Sequence, residues 1–383
     1  MVRLPHTHRI DSVNIFGEST KGEYAMSGVR KGFRMIIALV AILALVGLTI
    51  GCAKSEESTA TTAAAPAAKK AEKVVFHMNH YMPAVHPLQV NIFEPFAKEV
   101  FEKTDGRVEI VIHAGNALAA PGDTYDAVVS GVAGMGFVLP AYTPGRFPMT
   151  QILEYPFMFT SSLQGNLTAK EMIPMLREHE YTDTHLIWAG GTDLGHILLK
   201  PEIDSLDDLT GLKLRSPGPI YNDVIKELGG VEVSLPVSDL YDAMDRGIVD
   251  GSFMTPSALI SFRLMEVTNQ IVDLNLYMTP LIWFANQDLW NKISAEDQAT
   301  INAIAEGLAE KIGRQYDREA IEAMEAAHAE NKVITELSDA ELKQFHQTVD
   351  PLVKGWIAEI EAAGKPGQEL YDLAVEAAKR HKQ

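Results

Sequence analysis

Three histidines, His77, His80 and His86, stand close together near the first apolar segment, and imidazoles at such spacing could ligate zinc or another transition ion. No acidic residue or cysteine lies among them, so lining of a cleft or plain surface placement is the stronger reading. His80 and its neighbour Tyr81, at the end of an expected strand, are then candidates to touch a small solute. Other chemistry is poorly provided for. His179-Glu180 is followed by Asp183 instead of a second histidine, there is no G-x-S-x-G and no G-x-x-x-x-G-K, and Gly134-Met135-Gly136 has Leu139 where a dinucleotide turn needs a third glycine. The expectation is no catalytic residue, no metal and no cofactor.

Arg215 is different. Leu212 and Leu214 alternate with Lys213 and Arg215, the period of a strand, and Ser216-Pro217-Gly218-Pro219 stops it before Tyr221, Val224, Ile225 and Leu228 recur at helical spacing. This arginine therefore ends a strand where a helix begins. In an open α/β sheet that edge is the usual ligand crevice, and a planar guanidinium there suits a carboxylate through paired charge-assisted hydrogen bonds. The bland alternative is one more surface ion pair, which is common and weak.

Two motifs in register favour the first reading. Asp208, Leu209, Gly211, Lys213 and Arg215 form D-L-x-G-x-K-x-R, and Ser238, Asp239, Leu240, Tyr241, Ala243, Met244, Gly247, Val249, Asp250 and Gly251 form a second segment. From about residue 74 to about 313 the chain resembles the solute-binding proteins of tripartite ATP-independent periplasmic (TRAP) transporters. The resemblance implies that Arg215 clamps a substrate carboxylate, that the partners are a small-molecule carboxylate and TRAP membrane permease subunits, and that an ion gradient, not ATP, drives transport. It also nominates His196, near the place where many members carry a second arginine, and Met254 and Thr255, in Ser252-Phe253-Met254-Thr255-Pro256, where members that bind hydroxylated acids often show Glu-Asn-Pro. Losing Glu and Asn removes partners that a sugar acid needs, and an unpaired buried hydroxyl costs ~1–3 kcal/mol. Trp188, Trp283, Phe137 and Phe284 are candidates for an apolar cleft wall, with core placement the alternative. If they line the cleft, an aromatic or short hydrophobic monocarboxylate fits best. Arg146, in Pro144-Gly145-Arg146-Phe147-Pro148, is a candidate to cap the cleft or pin a loop.

The elements that must position these residues alternate. Strands are predicted at 74–78, 108–112, 134–139, 185–189, 212–215, 231–235 and 278–285, with helices at 92–101, 125–129, from 221 and from 238, which gives βαβ units of a largely parallel sheet. Ser294 with Asp297, and Ser338 with Glu341, mark later helix starts, Ile301, Ile304, Leu308 and Ile312 share a face, and Pro351 suits a first helical residue. The fold expected is α/β, two-lobed and periplasmic-binding-protein-like, with a hinge, a ligand cleft between the lobes and extra C-terminal helices. Lobe I takes 73–192 and 281–320; lobe II takes 193–280 and 321–383 with the C-terminal helices.

Upstream, Arg30, Lys31 and Arg34 precede an apolar run over 35–50 and Gly51-Cys52, as in a secretory leader. The run falls short of the ~20 apolar residues that a membrane span wants. Cys52, the single cysteine, resembles the lipid acceptor of bacterial lipoproteins, although Thr49 stands where leucine is usual and Leu48 lies one place further out. The expected organisation is a signal peptide at 1–51, with Met26 an alternative start, then a lipid-anchored linker at 52–72, in a periplasmic or extracytoplasmic protein held to the membrane through Cys52. Cleavage would leave 27 basic against 48 acidic residues, a net charge of −21, which opposes nucleic acid and offers an anion no long-range attraction. A binding protein of an ATP-driven importer and a secreted hydrolase or metal enzyme are the rival readings.

Overall fold

The computed structural model describes residues 73–382; the leader, Cys52 and the linker lie outside them. Eleven strands are described: β1 (Val74–His80), β2 (Val108–His113), β3 (Met135–Val138), β4 (Thr184–Leu194), β5 (His196–Leu199), β6 (Lys213–Ser216), β7 (Val231–Ser234), β8 (Gly251–Met254), β9 (Gln270–Asp273), β10 (Met278–Asn286) and β11 (Val333–Glu336). They form two sheets, ordered β2-β1-β3-β10-β4 and β11-β9-β5-β8-β6-β7. The α-helices, in chain order, are α1 (Glu94–Lys103), α2 (Thr124–Val129), α3 (Ser162–His179), α4 (Pro219–Glu227), α5 (Leu240–Asp245), α6 (Ser257–Ser261), α7 (Gln287–Lys292), α8 (Ala295–Ala305), α9 (Leu308–Ala329), α10 (Asp339–Ala362) and α11 (Gly367–His381). The architecture is mixed α/β, with two sheets and many helices.

The sheets are less parallel than the βαβ pattern predicts. β1 pairs in parallel with β2 and β3, but β10 runs antiparallel to β3 and β4. In the second sheet β6 is parallel to β7 and β8, while β5 is antiparallel to β8 and β9. The reason is topological: β5 and β10 each arrive from the other sheet without the helical crossover that a parallel neighbour requires. β10, flanked on both sides, is buried along its whole length and reads as a continuous apolar run for that reason.

The chain passes between the sheets at Gly195, between β4 and β5, and again between β9 and β10, and the two crossings are joined. The Gly195 N–H donates to the Tyr277 carbonyl at 2.6 Å and the Leu276 N–H to the Gly195 carbonyl at 3.0 Å. A Cβ on Gly195 would stand 2.1 Å from the Tyr277 ring, so only glycine lets the crossings lie side by side. The third connection is α9, which packs on α3, β4 and α6 before the chain enters β11.

Local signals explain several helix starts. Ser294 accepts from the Asp297 N–H, and Ser338 and Glu341 make a reciprocal capping box. The apolar face from Ile301 to Ile312 is divided between α8 and α9 by a break at 306–307. Pro351 does not start a helix: it lies inside α10, which Ser338 has already begun. Both Pro351 and Gln347, whose carbonyl loses its donor, are exposed, so water satisfies the freed group.

Candidate functional site

Arg215 is carried to its place by local sequence. It lies on β6 opposite Val233 and Ser252, one residue before the strand ends, and Gly218 and Pro219 then open α4. The guanidinium is 1% exposed. Nε donates to the Leu235 carbonyl at 3.0 Å, while Nη1 faces the Phe253 carbonyl at 3.5 Å and the Met254 sulfur at 3.6 Å. Nη2 has no hydrogen-bond partner. A buried charged donor left unanswered is costly, and this one sits in the wall of a cavity.

That cavity is nearly shut, with about 20 Å³ of free space, room for little more than a water molecule, so a ligand enters only when its walls part. Tyr81, Met82, His86 and Leu139, with Thr192 on β4 and Thr279 on β10, come from the first-sheet side, Arg215, Val237, Met254, Thr255 and α6 with Phe262 from the second, and Tyr316 from α9. The two sides already touch. The Val237 N–H donates to the Tyr142 hydroxyl at 3.0 Å, and the Tyr81 and Phe262 rings lie within 7° of parallel with centroids 6.4 Å apart. Burial raises the Tyr142 pKa, and the nearby Arg215 charge opposes that rise. Arg215 is the only cationic side chain among the lining residues apart from His86, and burial, with help from His80, lowers the His86 pKa to about 3. His86 is therefore neutral at pH 7.

A buried carboxyl braces one wall. Asp193 accepts from the Ser257 N–H at 2.8 Å and from the Ser257 hydroxyl at 2.6 Å, which fixes the start of α6. Burial raises its pKa to about 6, against the pull of those hydrogen bonds. Behind Tyr316, Glu319 is raised to about 7, again by burial, and Asp193 adds to the shift.

Four of the ten residues nominated from sequence line this cavity: Arg215, Tyr81, Met254 and Thr255. The other six lie elsewhere. Phe137 and Trp188 stack at 5.8 Å, and Trp283 packs on Phe93 and Phe96; these rings, with Phe284, are core and not cleft wall. His80 is buried, with Nε2 paired to Gln89 at 2.6 Å and its ring against Phe93. His196 Nδ1 accepts from the Leu274 N–H at 3.0 Å and lines a separate groove with Asp193, Asp273 and Asp317. Burial lowers its pKa to about 4, so it offers no charge to an acid. Arg146 pairs with Asp126 and Asp183 and lies 4.4 Å over the Tyr125 ring, which pins a loop. The three histidines diverge: His77 turns to His113 at 3.0 Å, His80 to Gln89 and His86 to the cavity.

Sequence reasoning missed Phe262 and Tyr316 as cavity residues. Tyr316 had a signal, since it continues the Ile304, Leu308, Ile312 stripe one turn on. Phe262, at the end of the short α6, had none.

Residues 78–359 match the family of bacterial extracellular solute-binding proteins, family 7 (DctP), and the chain belongs to that family. A TRAP solute-binding protein from a marine metagenome, described as specific for aromatic acids and holding 3-hydroxybenzoate, superposes with a TM-score of 0.76 at 25% identity, covering 82% of this chain and all of that one. The galactonate-bound sugar acid protein DctPAm of Advenella mimigardefordensis superposes at 0.72 with 20% identity, over 82% of this chain and all of that one. In sequence, the outer membrane transporter protein TsaT of Comamonas testosteroni is 23% identical over 80% of this chain and 92% of its own. Family and fold are those of TRAP solute-binding receptors, periplasmic proteins that work with membrane permease subunits.

Proposed function

We propose that the protein captures a monocarboxylate, aromatic or short and hydrophobic, by clamping its carboxylate on Arg215, and hands it to a TRAP-type permease. The observation that carries this reading is the buried Arg215 Nη2, a donor with no partner in the wall of a cavity. A single cation favours one carboxylate over two. Tyr81 and Phe262 present near-parallel faces from opposite sides, and Met82, Leu139, Val237 and Met254 supply apolar surface, which suits a flat or aliphatic body better than a polyol. The aromatic acid relative supports the class, while the galactonate-bound one warns that the fold alone does not choose it.

Lobe I (73–192, 281–320) closes on lobe II (193–280, 321–383) about the crossings at Gly195 and Tyr277 in this account. Closure excludes water from the ion pair and strengthens it. Cys52 is the proposed lipid acceptor, and mass spectrometry of the membrane fraction reads directly whether it carries acyl chains. The function is tested by a thermal-shift screen of refolded, ligand-free protein against aromatic, aliphatic, keto, di- and sugar acids. A ligand at 100 times its Kd stabilises the native state by ~2.7 kcal/mol. The expected hits are benzoate-like or short hydrophobic acids; hits confined to dicarboxylates or sugar acids would overturn the substrate class.

A further inference from the structure

Among the described acids, Glu154 alone has both carboxyl oxygens buried without a partner. It ends the turn of 3₁₀-helix at Thr150–Glu154, and it is wholly buried. It does not line the cavity, and it is not in direct ion-pair contact with Arg215, although the arginine's charge reaches it. Its Oε2 comes within 3.7 Å of the position a Cβ would take on Gly218, three residues beyond Arg215. Tyr221, on α4, reaches the Glu154 carbonyl with its hydroxyl at 3.3 Å. The Tyr277 hydroxyl, between β9 and β10, is buried without a partner, and its environment is set by burial first and then by both Arg215 and Glu154. Three residues thus leave four polar atoms unanswered in one region: both Glu154 oxygens, Arg215 Nη2 and the Tyr277 hydroxyl. Native structures rarely tolerate such a cluster unless its members serve one another.

We propose that Glu154 is the internal counter-ion of Arg215, and that a ligand carboxylate clamped on the guanidinium displaces it electrostatically, driving one proton from solvent onto Glu154. This rests on the reading of Arg215 as the carboxylate clamp and deepens it. The charge balance is simple. In the empty receptor, above about pH 8 where Glu154 is ionised, one buried cation and one buried carboxylate sense each other's charge. A bound carboxylate adds a second anion to the same guanidinium in a site closed to water, and two carboxylates sharing one cation in low dielectric favour protonation of one. Burial already raises the Glu154 pKa to about 8, with Arg215 holding it down. The titratable groups that sense this carboxyl from neighbouring elements are Arg215 on β6, Tyr221 on α4 and Tyr277 before β10. Asp193 on β4 acts on Tyr277, and Tyr142 senses Arg215. None but Arg215 offers a positive charge.

The test has two arms. In ligand-free protein, a raised folded-state pKa means that Glu154 stabilises the fold at low pH and loses that contribution as pH rises from about 4.5 through about 8. The Tm advantage of Glu154→Gln over wild type should therefore grow from pH 5 to pH 8.5. Placing Arg215→Met in both backgrounds should extend the growth to higher pH with Glu154 present, without moving its onset, and change nothing pH-dependent in the Glu154→Gln background. Pairwise independence would overturn the counter-ion assignment, whether or not any acid binds. In the second arm, calorimetric titration with 3-hydroxybenzoate in two pH 8.5 buffers of different ionisation enthalpy should show uptake of up to about three-quarters of a proton by wild type, the fraction of Glu154 that is ionised at that pH. Glu154→Gln should show none, and its affinity should no longer fall with pH. Binding without proton uptake would overturn the coupling and leave the receptor reading standing; absence of binding would count against that reading and leave the first arm to decide the Glu154–Arg215 pair. A variant that takes up as many protons as wild type would assign them to Asp193 or Glu319 instead.

Discussion

A guanidinium held by one backbone carbonyl at 3.0 Å and two longer contacts leaves its outer nitrogen without a partner, and the place of Arg215 at a strand's end, ahead of a helix, was legible in the sequence. Arg215 owes its place to a strand, a Pro-Gly-Pro stop and a helix within a short span, all local signals. The rest of the cavity wall was not legible in the same way. Tyr81 and Phe262 meet across the cleft from distant parts of the chain, and nothing in local spacing pairs them. Conversely, Trp188, Trp283 and Phe137 look suitable by type, but alternate residues of a sheet covered on both faces are all buried, so aromatic type does not distinguish cleft from core. The residue-scale prediction follows from the ring pair. Replacing Phe262 by alanine should weaken an aromatic acid by about 10-fold, in line with ~1–1.5 kcal/mol for an aromatic contact beyond its area, and a short aliphatic acid by less. Equal losses measured by calorimetry for both would remove Phe262 from the specificity wall.

At the scale of elements, the strand-to-helix units and the capping serines were readable because a cap or a Pro-Gly stop acts on its own residues. Sheet direction was not, because β5 and β10 take their neighbours from crossings that no local pattern encodes. The same crossings define where motion is expected. Gly218, at the start of α4, faces Ala141 from the other side of the cleft, and a Cβ there would stand 2.6 Å from the Ala141 Cβ. Its backbone is extended, so alanine is not strained in itself. Gly218→Ala should hold the lobes apart: affinity for the acid falls by about 10-fold, roughly 1.4 kcal/mol, while the Tm of the ligand-free protein stays close to wild type. A Tm loss matching the affinity loss would show that the contact serves stability and not closure. Gly195→Ala should behave in the opposite way and lower the Tm strongly, since the Tyr277 ring leaves no room.

For the molecule as a whole, a net charge of −18 for the full sequence sets a long-range field that repels the anion the site is proposed to bind. Capture must then depend on the local cation, and the field should slow encounter. Raising ionic strength shortens the Debye length from ~30 Å at 0.01 M to ~8 Å at 0.15 M. The association rate of an acid measured by stopped flow should therefore rise with salt, whereas a fall would reveal a basic funnel outside the cavity. In the proposed closure one guanidinium would suffice, because an ion pair gains strength as water leaves.

The measurement that bears most directly on this account is the affinity of the best-binding acid for wild type, Arg215→Lys and Arg215→Ala by calorimetry, with circular dichroism to show that each variant is folded. The account predicts that alanine weakens binding by at least about 100-fold, the size expected when one partner of a buried charge pair is removed. Lysine should recover part of this, because it restores charge without the planar fork. An Arg215→Ala protein that is folded and binds the acid as wild type does would contradict the carboxylate clamp.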